Sequence, residues 1–463
     1  MTCRHPDPPR GAKPCRRTDS QRPLPRRSAV AGPRPPYRRR MTSLSVRDQI
    51  WPATATWADG ELHLGGLSVR DLAAAYGTAL YVLDEADFRE RCRAWLAAFP
   101  DGDVHYGGKA FLAPAVVRWL ADLGLCLDVC SGGELAVARV GGMAPERVVF
   151  HGNNKSVAEI GQAVEWGVGC IVLDSLQELE RVAHAAGRLG TRQKVMVRVK
   201  PGVDAATHAA LATGGERTKF GLSIASGEAD EAVRRVLAEP GLELTGLHSH
   251  IGSQIFDLDS FAEAARRMVA FLRAVELANH VTIGRLDLGG GLGVSHLPGE
   301  KPAPTPAELA DALRATVPDD IHVSVEPGRN IAAPTTVAVY EVGTVKGRFV
   351  AIDGGMSDNP RPATYGAAYT AVIASRTSSA DTRPMTVVGK HCESGDILIE
   401  EIGLPADVAP GDLLAVPCSG AYQRSAASNY NLVPRPAVVA VRDGAAHVVV
   451  RRETEEDLLR LYP

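Results

Sequence analysis

From about residue 100 to residue 330, short apolar runs rich in Val, Ile and Leu alternate with longer stretches in which apolar residues recur three and four apart. The first pattern suits strands buried on both faces, and the second suits helices with one buried stripe. The strand-like runs are 103–109, 125–129, 147–152, 169–174, 194–199, 242–252, 283–291 and 321–328. Eight strand–helix units predict an α/β chain folded as a (β/α)8 barrel, with a doubly wound open sheet as the alternative. Helix starts are marked by a hydroxyl followed three residues later by Glu, at Ser131/Glu134, Ser156/Glu159, Ser175/Glu178, Ser260/Glu263 and Thr305/Glu308. Such pairs satisfy the first free amides of a helix, so they read as caps and not as catalysts.

After residue 330 the pattern changes to strands with little helix between them. The expected organisation is a barrel over 85–330 and a mostly β domain over 331–463, joined by an N-terminal segment, 41–84, that contributes to the β domain. Residues 1–40 hold 12 Lys or Arg, nine prolines and two acids, a Pro/Arg-rich arm with too little apolar surface to fold alone. Translation is expected to begin at Met41, with the arm as an extension.

Composition narrows the function classes. Of 463 residues, 45% are hydrophobic and 23% charged, and the net charge is −3. Removing the basic arm leaves a clearly acidic body, which argues against nucleic acid as a partner. No apolar run is long enough to cross a membrane. The eight cysteines are scattered without a CxxC pair, so neither a disulfide framework nor a metal site is implied, and reduced thiols in the cytoplasm are expected. Cys126, Cys130, Cys170 and Cys418 read as small core residues.

Chemistry in such barrels sits at the carboxyl ends of the strands. There the sequence places Lys109, Asp128, His151, Asp174, Arg198, His250, Gly289 to Gly291, and Glu326 with Arg329. In "HSHIG" two histidines stand two apart and face the same side of a strand. His248 reads as a packed or supporting histidine, and Asp128 and Arg198 as ion pairs at the mouth. The glycines of "DLGGGLG" follow strand seven and "EPGRN" follows strand eight, the two loops that often bind phosphate. A lone lysine, a phosphate cradle, a carboxylate and a histidine suggest pyridoxal phosphate held as a Schiff base on Lys109. Glu326 would hold its ring nitrogen and His250 would lie against the ring. One further thiol, Cys392, lies in "KHCESGD" between a basic pair and two acids, a setting better suited to giving a proton than to attacking carbon.

Nine segments in order resemble the diaminopimelate decarboxylases, a branch of the barrel-type (fold type III) pyridoxal phosphate-dependent decarboxylases. They are "HYGGKAFL", "LDVCSGGELAVA", "FHGNNKS", "HSHIGSQI", "LDLGGGLGV", "EPGRNI", "DGGMSDNPRPATYGAAY", "KHCESGDIL" and "GAYQRSAASNYN", between about residues 60 and 455. The resemblance implies that Lys109 carries the cofactor and His250 stacks on it. Ser253, Gly289, Gly290, Gly291, Gly328, Arg329 and Tyr422 would contact its phosphate end, and Glu326 its ring nitrogen. Arg329, Arg361, Tyr365, Glu393 and Tyr422 would bind substrate. Cys392 would be the acid, reaching across a homodimer interface. The implied reaction converts meso-2,6-diaminopimelate to L-lysine and CO2, the last step of lysine biosynthesis.

Alternatives are a paralogous decarboxylase acting on ornithine, arginine or a carrier-linked amino acid, a racemase on the same barrel, or a non-catalytic cofactor-binding protein. Arg361 with Tyr365 favours a substrate with a distal carboxylate, and Glu326 at the ring nitrogen favours decarboxylation over racemisation. Three departures from the family pattern stand out. Gly107 and Gly108 precede the lysine and are expected to loosen the strand end. Gln423 and Arg424 are expected to add a cation near the cofactor. The link from "EPGR" to "DGGMSDN" is short.

Overall fold

The computed structural model describes residues 50–203, 213–215 and 218–463. The basic arm and the expected start at Met41 lie outside the described residues. All eight expected barrel strands form: β1 (Asp103–Gly107), β2 (Cys126–Val129), β3 (Val148–Phe150), β4 (Cys170–Leu173), β5 (Gln193–Lys200), β6 (Leu242–His248), β7 (Arg285–Asp287) and β8 (His322–Val325). Neighbours pair in parallel, β8 with β1 and β4 with β5, so the sheet closes on itself and the open-sheet alternative falls. Most of these strands are buried along their length because helices cover the outside while side chains fill the inside. Val149, Cys170, Val172 and Met196 form a small apolar cluster separate from the main core. Polar side chains, among them His105, Asp128, His248, Asp287 and Glu326, are buried with them.

Four of the five expected caps form: Ser131, Ser156, Ser175 and Thr305 each accept a hydrogen bond from the backbone N–H of the Glu three residues on. The fifth is a correction. The helix Leu258–Asn279 begins earlier and is capped by Asp257, whose carboxylate accepts from the Asp259 N–H. Asp is as good a cap as Ser. With the start moved upstream, the Ser260 hydroxyl donates to Asp257 and Glu263 pairs with Arg266 and Arg267 on the helix surface.

The second domain is built on a sheet ordered Ile397–Pro405, Thr382–Val388, Phe349–Ile352, Thr336–Lys346, Leu80–Asp84, Ala437–Arg442, Ala445–Val450. Leu80–Asp84, the strand preceding the barrel, is fully buried between Thr336–Lys346 and Ala437–Arg442. The short link after "EPGR" is a single hairpin, Thr336–Lys346 turning into Phe349–Ile352, which delivers "DGGMSDN" directly. Among the described residues no helix is long and apolar enough to cross a membrane.

Candidate active site at the barrel mouth

Lys109 follows β1 at its carboxyl end, its side chain 44% exposed and its Nζ 3.9 Å from Asp128 at the end of β2. Burial works against its charge, but Asp128, Tyr422 and Glu326 outweigh that and hold the ammonium above the ordinary lysine range. The glycines before it are a matter of fit. A Cβ on Gly108 would stand 2.9 Å from the Asp128 carbonyl oxygen, which already accepts the Gly108 N–H. Gly108 therefore lets β1 and β2 close together beneath the lysine, and the expected loosening is not what the geometry shows. At Gly107 a Cβ would meet only ordinary contacts, near Gly328 and Asp128.

Below Lys109 lies a buried polar cluster. Glu326, at the end of β8, has His151 Nε2 2.9 Å and His248 Nε2 3.3 Å from its Oε1, and His151 Nε2 is 3.7 Å from Asp128. Burial alone would neutralise Glu326, but the two imidazoles overcome it and keep the carboxyl well below its usual range. His151 moves up, since Glu326 and Asp128 outweigh its burial. In His248 burial wins and the ring drops to about 4. Asp287, one strand over, is pushed up by burial and by Glu326 itself, so the cluster concentrates its negative charge on Glu326. His151, His248 and Glu326 bring one donor atom each within 4.8 Å of one another, a set that could also hold a metal ion.

His250 is oriented by the glycine loop after β7. The Gly290 N–H donates to its Nδ1 at 3.1 Å, which places the ring proton on Nε2. Burial, with Lys109 and Arg198 nearby, keeps this imidazole neutral. The Gly289 N–H is likewise taken, by Asp287 at 2.9 Å. Two of the three loop amides thus hold protein groups. A Cβ on Gly290 would collide with the Glu326 carbonyl, so only glycine lets this loop pass under β8. Beside the loop, Arg329 Nε and Nη2 donate to Ser253 Oγ at 3.1 and 3.0 Å, while its buried Nη1 has no partner among the described residues. The Arg329 guanidinium lies 4.6 Å from the Tyr422 ring. Tyr422, in a left-handed conformation, is tied to the barrel by its N–H bond to Ala110, the residue after Lys109.

The remaining expected site residues divide. Arg361 is buried, and its Nη1 donates to Tyr369 Oη at 2.5 Å and lies 3.1 Å from His296 Nε2. Tyr365 is 38% exposed, and Cys392 and Glu393 are exposed on the β domain. The Cys392 N–H reaches Asn431 Oδ1 at 3.4 Å. Of its acidic neighbours, Asp396 turns inward to accept the His391 and Met356 N–H groups, so only Glu393 shares the surface with the thiol.

Arg424 is lowered by burial, with Arg435, Tyr81, Glu453 and Asp358 as its charged surroundings, while Tyr422 and Ser425 on either side of it both donate to the Ala110 carbonyl next to Lys109. One further expectation needs correction. Cys130 is exposed at the end of β2 rather than core, and Cys126 is half-buried; Cys170 and Cys418 are buried as expected. Arg198 does meet Asp174, at 3.8 Å. His296 and Tyr369 escaped the sequence reading. Both lie inside quoted or adjoining segments, but nothing in local pattern ties residue 296 to residue 361. The parity of "HSH" did carry a signal for His248, which turns inward to Glu326.

Comparison with known proteins gives a consistent result. Residues 85–333 match the model of the pyridoxal-dependent decarboxylase, pyridoxal binding domain. The chain is 51% identical over 441 residues to the diaminopimelate decarboxylase of Mycobacterium tuberculosis, covering 90% of this chain and 98% of that one. It is 48% identical over 466 residues to that of Mycobacterium leprae, covering 93% and 98%. The crystal structure of the M. jannaschii diaminopimelate decarboxylase in complex with L-lysine superposes with a TM-score of 0.83 at 32% identity, covering 89% of this chain and 98% of that chain.

Proposed function

The chain belongs to the diaminopimelate decarboxylases, and from that premise we propose how its residues divide the work of turning meso-2,6-diaminopimelate into L-lysine and CO2. The cofactor is pyridoxal 5'-phosphate. The residues at the barrel mouth fit it. Glu326 is kept ionised by two imidazoles, as a partner for a protonated ring nitrogen must be. Gly290 admits close approach of the backbone, and Arg329 keeps one buried donor free for an anion. When bound, this cofactor offers an electron-accepting ring to the electron pair that loss of CO2 leaves on the substrate α-carbon.

Lys109 would hold its aldehyde carbon, Glu326 its ring nitrogen, and His250 one ring face. Ser253, Gly289, Gly290, Gly291, Gly328, Arg329 and Tyr422 would surround its phosphate end, the Gly289 and Gly290 amides acting by holding Asp287 and His250 in place. At the substrate's far end, Arg361 would take the distal carboxylate, a planar anion that a guanidinium meets with two parallel bonds. Arg329, Tyr365, Tyr422 and Glu393 would complete the substrate contacts, with Glu393 pairing the distal ammonium. The Cys392 thiol would give its proton to the α-carbon after CO2 departs.

Because Cys392, Glu393 and Tyr365 are exposed, we propose a homodimer in which these residues come from the second copy. Tyr430 and Leu432, 41% and 59% exposed, flank the Asn431 that holds the Cys392 backbone and supply apolar surface for such a contact. A working thiol needs a reducing compartment, which supports the cytoplasm.

The observation that carries the reading is the ionised Glu326 flanked by two imidazoles at the end of β8, the strand next to the one that Lys109 follows. The test is to supply the purified protein with pyridoxal phosphate and offer meso-diaminopimelate, ornithine or arginine, assaying lysine, putrescine and agmatine. Lysine from diaminopimelate alone is expected. Putrescine or agmatine as the main product would overturn the role given to Arg361.

A further inference from the structure

Arg361 Nη1 is met by two residues, His296 and Tyr369, to which the mechanism above gives no role. Its guanidinium can only donate, so both acceptors of Nη1 must offer lone pairs. Tyr369 does so through Oη, at 2.5 Å. His296 can do so only in one tautomer. Its Nδ1 lies 3.1 Å from the Val294 carbonyl oxygen, which can only accept. The ring proton therefore sits on Nδ1, and Nε2, 3.1 Å from Arg361, carries the lone pair. Burial, then Arg361 and Arg329, lower this imidazole to about 3, so the accepting form persists at any working pH. The His296 and Tyr369 rings meet edge to face, 5.3 Å apart at 89°, which blocks rotation of either.

The support continues back to the cofactor end. Gln254 grips Val294 by both amide atoms, its Oε1 accepting the Val294 N–H at 2.9 Å and its Nε2 donating to the Val294 oxygen at 3.0 Å. Gln254 follows Ser253, and Val294 lies three residues after Gly291. The two loops that would hold the phosphate are thus cross-tied at the point from which His296 reaches Arg361. With Nη1 committed to His296 and Tyr369, no hydrogen bond engages the Nη2 and Nε edge among the described residues, and it is the edge whose direction His296 and Tyr369 set.

We propose that His296 and Tyr369 are positioning residues that aim Arg361 at the distal carboxylate and so set the preference for a substrate with an amino-acid group at both ends. This rests on the reading of Arg361 given above. The test compares His296→Leu, which removes the acceptor, with His296→Gln, whose amide oxygen can stand near Nε2, alongside Tyr369→Phe and Arg361→Ala. In the protein loaded with pyridoxal phosphate, KM for meso-diaminopimelate and the Kd of L-lysine, which keeps the distal carboxylate, should rise about tenfold or more in His296→Leu. The kcat should stay within about threefold of the parent. His296→Gln should recover most of the loss, and His296→Leu should add little to Arg361→Ala in the double variant. Binding of 1,5-diaminopentane, which has no carboxylate, and the cofactor absorbance band should not change. If Arg361→Ala raises KM while His296→Leu does not, or if His296→Leu lowers kcat and cofactor binding with KM unmoved, the proposal fails. If Arg361→Ala itself leaves KM and lysine binding unchanged, the reading of Arg361 fails first.

Discussion

At the barrel mouth, Lys109, His250 and Glu326 are held by groups of their own chain, whereas around Cys392 the chain spends its bonds on the loop backbone and leaves the functional side chains outside. Glu326 has imidazoles at 2.9 and 3.3 Å, and His250 has the Gly290 amide. In the Cys392 loop the buried side chains are His391 and Asp396, which bond to Ser357, Met356 and the loop backbone, with the exposed Asn431 meeting His391 from outside. On the reading proposed above, the groups given to the cofactor all come from one chain, and the proton donor and part of the substrate pocket would be completed by a second copy.

The sharpest way to break that comparison is to damage each half separately and mix the pieces. Lys109→Ala alone should abolish lysine formation. Cys392→Ala alone should lower kcat by about a hundredfold or more, as loss of a general acid does, while the cofactor band remains. If the halves come from different subunits, exchanging the two inactive proteins should restore roughly a quarter of parental activity, because half of the dimers then carry one intact site. Mixtures that stay inactive, although exchange is demonstrated by differently tagged subunits, would place both residues in one chain's site.

Much of the mouth was legible in advance because it depends on local pattern: strand ends, the parity of "HSH", and glycines after β7 and β8. The closed barrel followed from eight alternating units. What the sequence hid depends on which of two competing local signals wins, or on contacts far apart in the chain. Ser260/Glu263 has the form of a cap, yet Asp257 starts the helix first. Asp396 looks like a companion of the Cys392 thiol until the loop folds and its carboxylate turns inward. Nothing local joins His296 to Arg361 across 65 residues.

A smaller effect separates the halves by pH. His105, buried with neither ring nitrogen hydrogen-bonded among the described residues, is lowered by burial to about 4 from 6.5, with Glu326, Arg285, Asp103 and His151 acting on it. Because its folded value lies below its unfolded one, the folded state loses stability as pH falls through this window, when only the unfolded chain takes up the proton. The loss is fully developed below about pH 4 and absent above 6.5. Urea unfolding of His105→Phe should show an acid limb shallower by up to about 1.4 kcal/mol per pH unit, whereas Cys392→Ala should leave the limb unchanged.

The smallest effect concerns the helix that follows the His250–Ser253 loop. Asp257 accepts the Asp259 N–H, while the Ser260 hydroxyl merely donates back to Asp257. Asp257→Ala removes the group that ends the helix's free amides and should cost about 1 kcal/mol of stability. Ser260→Ala removes only a donor to a carboxylate that keeps its backbone partner, and should fall within about 0.5 kcal/mol of the parent. Neither should change KM, since Arg329 holds Ser253 from the side of the site. A larger loss from Ser260→Ala than from Asp257→Ala, measured by urea unfolding, would return the helix start to the position its Ser/Glu pair suggests. It would also show that the barrel side is less firmly set by short-range signals than its buried charges imply.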